Sequence, residues 1–249
     1  KKRILYVSQE MTPYLPENDL SKTSRFLPQA MNESGIDVRL FMPRFGCINE
    51  RRHQLHEVIR LSGMNLIVND IDQPLIIKVA SIPQARMQVY FIDNEEYFKR
   101  QFTTEDKKGA FYADNDERAL FFCRGVIESV KKLGWSPDVI HCNGWMASFL
   151  PMYLKKFYHD DPIFEKTKIV VSLYNQSFEG TLSDGLTDKL KFDGYSEEDL
   201  AGFEKVDYKK LAETAINYSD AVIKGSTELD ADLLELIEKS KLPTLEYSD

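Results

Sequence analysis

A chain of 249 residues, 43% hydrophobic and 12% aromatic, is long enough to bury a sizeable core as one large domain or two small ones. Its formal charge of -8, with no basic stripe anywhere, argues against a nucleic-acid backbone as partner. No apolar run reaches the length of a membrane span, and the opening "KKRILYVS" reads as a strand, not as a signal peptide.

In chain order, "RILYVS" (3–8) is the first predicted strand, followed by a helix over 20–33 with apolar residues three and four apart. "DVRLFM" (37–42) is a second strand, and "EVIRL" (57–61), "IIKVAS" (76–81) and "QVYFID" (88–93) follow with no helix between them. Those three predict a small antiparallel β insertion. A helix over 116–133, the strand "DVIHCN" (138–143) and a helix over 145–157 restore the alternation. "KIVVSLYN" (168–175), a helix over 208–218, "DAVIKG" (220–225) and a helix over 228–240 complete it. Strands apolar on both faces, alternating with amphipathic helices, predict an α/β fold with a doubly wound, mostly parallel sheet. Neither repeat nor linker interrupts 1–249, so one Rossmann-like domain is expected. Cys47, Cys123 and Cys142 form no CxxC pair and are odd in number, which predicts reduced thiols in a cytoplasmic protein.

Ligands of such sheets sit beyond the carboxyl ends of the strands, where strand order reverses. The positions to read are therefore 8–19, 143–146, 174–180 and 224–227. At the first corner, Pro16, Glu17, Asn18 and Asp19 stand where a phosphate-binding helix would carry glycines. Asn18 or Asp19 is placed to cap the helix N–H groups, and Glu17 and Asp19 would repel a diphosphate. Asn143 cannot titrate near neutral pH, whereas His141, two residues earlier on the same strand face, can. Tyr14, Trp145, Tyr174 and Phe178 are either core or a surface for stacking a sugar ring. His53 and His56, three apart in "RRHQLHEVIR", would suit a metal on a helix, but no third ligand is evident. No P-loop and no Ser-His-Asp set is visible. The expectation is no cofactor, no metal and no assigned catalytic residue.

Seven collinear segments resemble the N-terminal domain of bacterial glycogen and starch synthases, the glycosyltransferases that use ADP-glucose. "RILYVSQEMTPY" is similar to the family's opening strand and E-x-x-P-[FY] corner, and "GIDVRLFMPRF" to G-H-D-V-R-x-x-x-P-R-Y. "VYFIDNEEYFKRQ" and "DNDERALFFCRGVIE" resemble D-N-x-x-Y-F-x-R and D-N-x-x-R-F-x-x-F-x-x-A. "LGWSPDVIHCNGW" sits where the family has W-x-P-D-x-x-H-x-H-D-W, and "YNQSFEG" where it has H-N-x-x-Y-Q-G. "AINYSDAVIKGSTEL" matches I-x-Y-A-D-x-V-x-T-V-S-P-T-Y. The resemblance implies the first Rossmann-like half of a GT-B glycosyltransferase. The sequence stops at "LPTLEYSD", about where the family's first domain ends, so the second GT-B domain is expected to be absent.

The same correspondence marks departures. Pro16–Asp19 replace the family's K-T-G-G, Asn143 and Gly144 replace the His-Asp of H-D-W, and Tyr174 replaces a histidine. Glu213 stands in place of the lysine of K-x-G-I, and Lys224 and Gly225 replace the Thr-Val before Ser226. Scaffold positions such as Pro13, Pro43, Asp93, Asn94, Arg100, Arg118 and Asp220 are retained. The candidate substrate-binding set is Glu10, Tyr14, Pro16, Glu17, Asn18, Asp19, His141, Asn143, Gly144, Trp145, Tyr174 and Asn175. Three functions compete. The first is a catalytically degenerate synthase domain that binds a glucan, a small metabolite, a protein partner or a second copy of itself. The second is half of an ADP-glucose-dependent glucosyltransferase completed by a separate or trimmed C-terminal domain. The third is a new enzyme using the carboxylates Glu10, Glu17 and Asp19.

Overall fold

A computed structural model describes residues 1–248. The first strand, β1 (Arg3–Ser8), forms the centre of the sheet, with β2 (Asp37–Pro43) on one side and β7 (Val139–Asn143) on the other, both parallel to it. Beyond β7 lie β8 (Lys168–Leu173), β9 (Ala221–Lys224) and the short β10 (Thr244–Leu245), all parallel. Beyond β2 lies parallel β6 (Met87–Asp93), then antiparallel β5 (Ile71–Ile82), which also pairs with β3 (His56–Glu57) and β4 (Met64–Val68). The order is β10-β9-β8-β7-β1-β2-β6-β5-β3, so strand order reverses between β1 and β7.

Right-handed crossovers that leave β1 in opposite directions place their helices on opposite faces. Helix α1 (Asp19–Glu33) packs on β1 and β2. Helices α3 (Asn115–Leu133), α4 (Leu150–Phe157), α6 (Tyr208–Asn217) and α7 (Ala231–Ser240) contact one another in series and cover the other face. Short α2 (Glu95–Phe98) and α5 (Leu186–Phe192) complete the set. Helix α3 carries Asp116 and Glu117 in its first turn, Lys131 and Lys132 in its last, and closes on left-handed Gly134, so charge and cap both favour it. Among the described residues no helix is long and apolar enough to cross a membrane.

The antiparallel β segment expected between β2 and β6 is present as β3–β5, and β5, paired with β6 over Ile76–Ile82, joins it to the main sheet, while β6 itself lies parallel to β2. Three expectations need correction. Only Glu57 of "EVIRL" is a strand residue, the chain turning at Val58 to satisfy Leu61 and Ser62 N–H groups. The helix over 145–157 is broken: a 3-10 turn covers Trp145–Ala147 and α4 restarts at Leu150, with Pro151 in its first turn, where a missing N–H costs nothing. His53 and His56 share no helix either. His53 lies in a turn edge-on to Tyr14, His56 is in β3, and no metal-ligating group of three is found among the described residues.

Candidate functional site at the carboxyl end of the sheet

The first corner runs from Gln9 to Asn18 and is closed by its own side chains. Asn18 is the N-cap of α1: its Oδ1 accepts from Ser21 N at 2.8 Å while Ser21 Oγ accepts from Asn18 N at 2.9 Å. This reciprocal box takes up the N–H groups of Asn18 and Ser21, two of those that would otherwise face an anion. Ser21 Oγ also donates to Pro16 O at 2.8 Å, fixing the turn ahead of the helix. Asp19, in the first helical turn, accepts from Ser226 Oγ at 3.0 Å and ties α1 to the segment after β9. Pro16 and Glu17 are exposed.

The floor between β1 and β7 is filled. Asn143 is fully buried; its Oδ1 accepts from Tyr6 at 3.3 Å and Tyr174 at 3.2 Å, and its Nδ2 donates to Val7 O and His141 O, both at 3.3 Å. Both lone pairs and both N–H groups of the amide are used. Tyr6 lies 3.4 Å from Ser24 Oγ, which is 2.8 Å from Ser8 Oγ, so the network runs from the sheet into α1. His141 Nε2 pairs with Ser172 Oγ at 2.6 Å, and burial pulls its pKa down to about 4, leaving the ring neutral. Burial likewise pushes Tyr174 up to about 12.

Two glycines make this packing possible. Gly144 has φ +88°, and a Cβ there would lie 2.6 Å from Gln9 Cβ. Gln9 itself bridges the corners: its N donates to Asn143 O at 3.0 Å and its Oε1 accepts from Met146 N at 2.9 Å. A Cβ on Gly225 would lie 2.6 Å from Cζ and 2.7 Å from Cδ1 of Tyr174. Where the resembled family has valine at this position and histidine opposite it, the chain has glycine and a ring that fills the space.

The candidate residues thus separate into groups. Asn143, His141 and Tyr174 form one buried network; Glu10 and Asn18 meet at 3.3 Å; Gly144 and Trp145 close the β7 corner. Asn175 turns outward, donating to Glu228 O at 2.5 Å and accepting from Asp230 N at 2.9 Å. Tyr14 points away, edge-on to Phe91 with ring centroids 5.0 Å apart, and is buried. Tyr14 and Tyr174 therefore present no ring face to a sugar, and Trp145 is held edge-on to Phe178 at 5.0 Å and tilted against Phe111 at 5.6 Å.

What is left open is a cavity of about 210 Å³ lined by Gln9, Glu10, Leu20, Thr103, Thr104, Trp145, Gln176 and Ser177. Burial raises the Glu10 carboxyl above its ordinary pKa, and Gln176 Oε1 is buried with no protein partner. Of these eight, sequence reading singled out Glu10 and Trp145. Gln9 was signalled by its place just after the first strand. Thr103 and Thr104 belong to a stretch without periodicity and carried no signal.

The doubly wound sheet, with strand-end corners gathered at the β1/β7 reversal, defines a Rossmann-like α/β domain. The chain belongs to the starch synthase catalytic domain family, whose profile matches residues 3–242. It is 38% identical over 189 residues to a glycogen synthase of Chlorobium luteolum, covering 76% of this chain and 39% of that one. It is 35% identical over 229 residues to a glycogen synthase of Chlorobaculum parvum, covering 90% of this chain and 46% of the other. The catalytic domain of starch synthase IV from Arabidopsis thaliana, bound to ADP and acarbose, superposes with a TM-score of 0.80 at 18% identity, over 98% of this chain and 51% of that one. The chain therefore spans less than half the length of the glycogen synthases it matches.

Proposed function

We propose that this domain has kept the synthase fold but not nucleotide-sugar transfer, and acts as a binding module for a small ligand in the residual cleft. The observation that carries the reading is the reciprocal cap at Asn18 and Ser21, which uses two of the N–H groups that a diphosphate at this helix N-terminus would need. The buried Asn143–Tyr174–Tyr6 network supports it, because groups saturated by internal bonds have none to offer a reacting sugar. No lysine or arginine lines the cavity, so nothing there offsets phosphate charge. The ligands to consider are a glucan end, a small metabolite, and a protein partner or second copy at the place of the longer relatives' remaining half. The chain's span, 39% of one relative and 46% of another, favours one rival: half of an ADP-glucose-dependent transferase, completed by a second domain.

Titration calorimetry of the chain against ADP-glucose, ADP and a maltooligosaccharide separates the two. The binding-module reading expects no heat from either nucleotide. Micromolar binding of ADP or ADP-glucose would refute it and favour the half-transferase, to be followed by a transfer assay with the second domain supplied.

A further inference from the structure

The cavity beyond β1 has an unbalanced set of polar groups. Glu10 is half-buried, and among the described residues its side chain receives a long hydrogen bond from Asn18 Nδ2 at 3.3 Å. No lysine, arginine or histidine lines the space around it. Gln176, also part of the lining, has its Oε1 buried with no donor among the described residues. An unsatisfied buried acceptor and a carboxylate held by one long hydrogen bond both gain from a ligand that donates hydrogen bonds. The hydroxyls of Thr103, Thr104 and Ser177 add adaptable partners, while Leu20 and Trp145 supply an apolar wall. A space of about 210 Å³ is smaller than the usual drug-sized pocket of roughly 300–1,000 Å³, which limits the guest to a single ring or its equivalent.

We infer that this cavity takes a small polyhydroxylated ligand carrying a protonated amine, of the amino-sugar type, with the ammonium on Glu10 and a hydroxyl donating to Gln176 Oε1. The inference rests on the reading of the domain as a binding module and names the charge class of its ligand. A phosphorylated sugar would bring its charge against Glu10, with exposed Glu17 and Asp19 on the same corner and no cation to compensate. A neutral sugar could donate hydroxyl hydrogen bonds to Glu10 but would bring no charge to balance it. Burial raises the Glu10 carboxyl in the free protein, and an ammonium seated beside it would offset that shift.

The test is titration of the 249-residue chain at pH 7 with glucosamine, glucose and glucose 1-phosphate, by calorimetry and by ligand-observed NMR. Glucosamine should bind about tenfold more tightly than glucose, a difference of about 1.4 kcal/mol, and glucose 1-phosphate should not bind. Glu10→Gln, which keeps shape and removes charge, should bring glucosamine down to the glucose level. Gln176→Leu should weaken glucosamine and glucose alike. Equal or tighter binding of glucose, a preference that survives E10Q, or silence from all three sugars would overturn the inference. Those results leave the earlier proposal standing, because that one falls on nucleotide binding alone.

Discussion

Replacing Gly225 by valine puts back the side chain that the resembled family carries and tests whether the floor of the cleft was rebuilt as a unit. The new Cβ would sit 2.6 Å from Cζ and 2.7 Å from Cδ1 of Tyr174, where carbon atoms prefer about 3.5–4.0 Å. The ring must therefore shift by about an ångström. It cannot do so freely, because its hydroxyl donates to Asn143 and its carbonyl accepts from Tyr208 at 2.6 Å. Overpacking of this kind costs about 1–3 kcal/mol, and pulling the phenol off a buried amide oxygen adds about 1–3 kcal/mol. A loss of about 3 kcal/mol lowers the melting temperature of a domain this size by about 6–12 °C. Tyr174→His alone should also destabilise, by opening a void beside Asn143. The double variant should recover part of the loss, with a favourable coupling of about 0.5–3 kcal/mol in urea unfolding. Gly225→Val at native stability, or strictly additive single effects, would refute the packing argument.

His141 makes stability depend on acid. Its native pKa of about 4 lies below the unfolded value of about 6.5, so the native state binds fewer protons and stability falls as pH drops from about 6.5 towards about 4. The loss approaches about 3 kcal/mol at the acid end, and His141→Gln should flatten the profile of urea midpoints between pH 7 and 4. Gly144→Ala should cost about 2–4 kcal/mol, from a side chain in a left-handed backbone and its clash with Gln9, read as a lower thermal midpoint. Asn18→Ala should remove about 1 kcal/mol of helix capping in chemical denaturation.

Local chemistry was legible in the sequence where it depended on neighbours in the chain. The start of α1 followed from Asn18 and the apolar spacing after it, and the strands around β1 followed from their β-branched runs. The capping of the first corner was readable because an asparagine ahead of a helix meets its own N–H groups. Tertiary facts were not legible. Nothing near Tyr174 announces that Gly225 makes room for its ring, since the two meet only when β8 and β9 lie side by side. Tyr14 resembled a cleft residue by position, yet its corner turns it inward onto Phe91 and His53. The antiparallel β segment was legible, but that β6 would pair parallel with β2 and carry the segment into the main sheet was not, because pairing partners are not written in a strand's own sequence. Thr103 and Thr104 reach the cavity from an irregular segment, for which periodicity has no signal, whereas Gln176 lies in the 174–180 corner that strand order had marked.

The saturated floor beneath the cleft has a consequence for how such a domain ages. An enzyme keeps polar groups unsatisfied for its substrate and gives up stability to do so. Here the amide of Asn143 holds β1, β7 and β8 together through its own bonds, at the spot where strand ends normally come apart first. Amide protons around it belong with the slowest-exchanging of the fold. On the proposed binding-module reading, the rim around Glu10 is released from the reserve that catalysis demands and can accept substitutions that an active synthase would not survive.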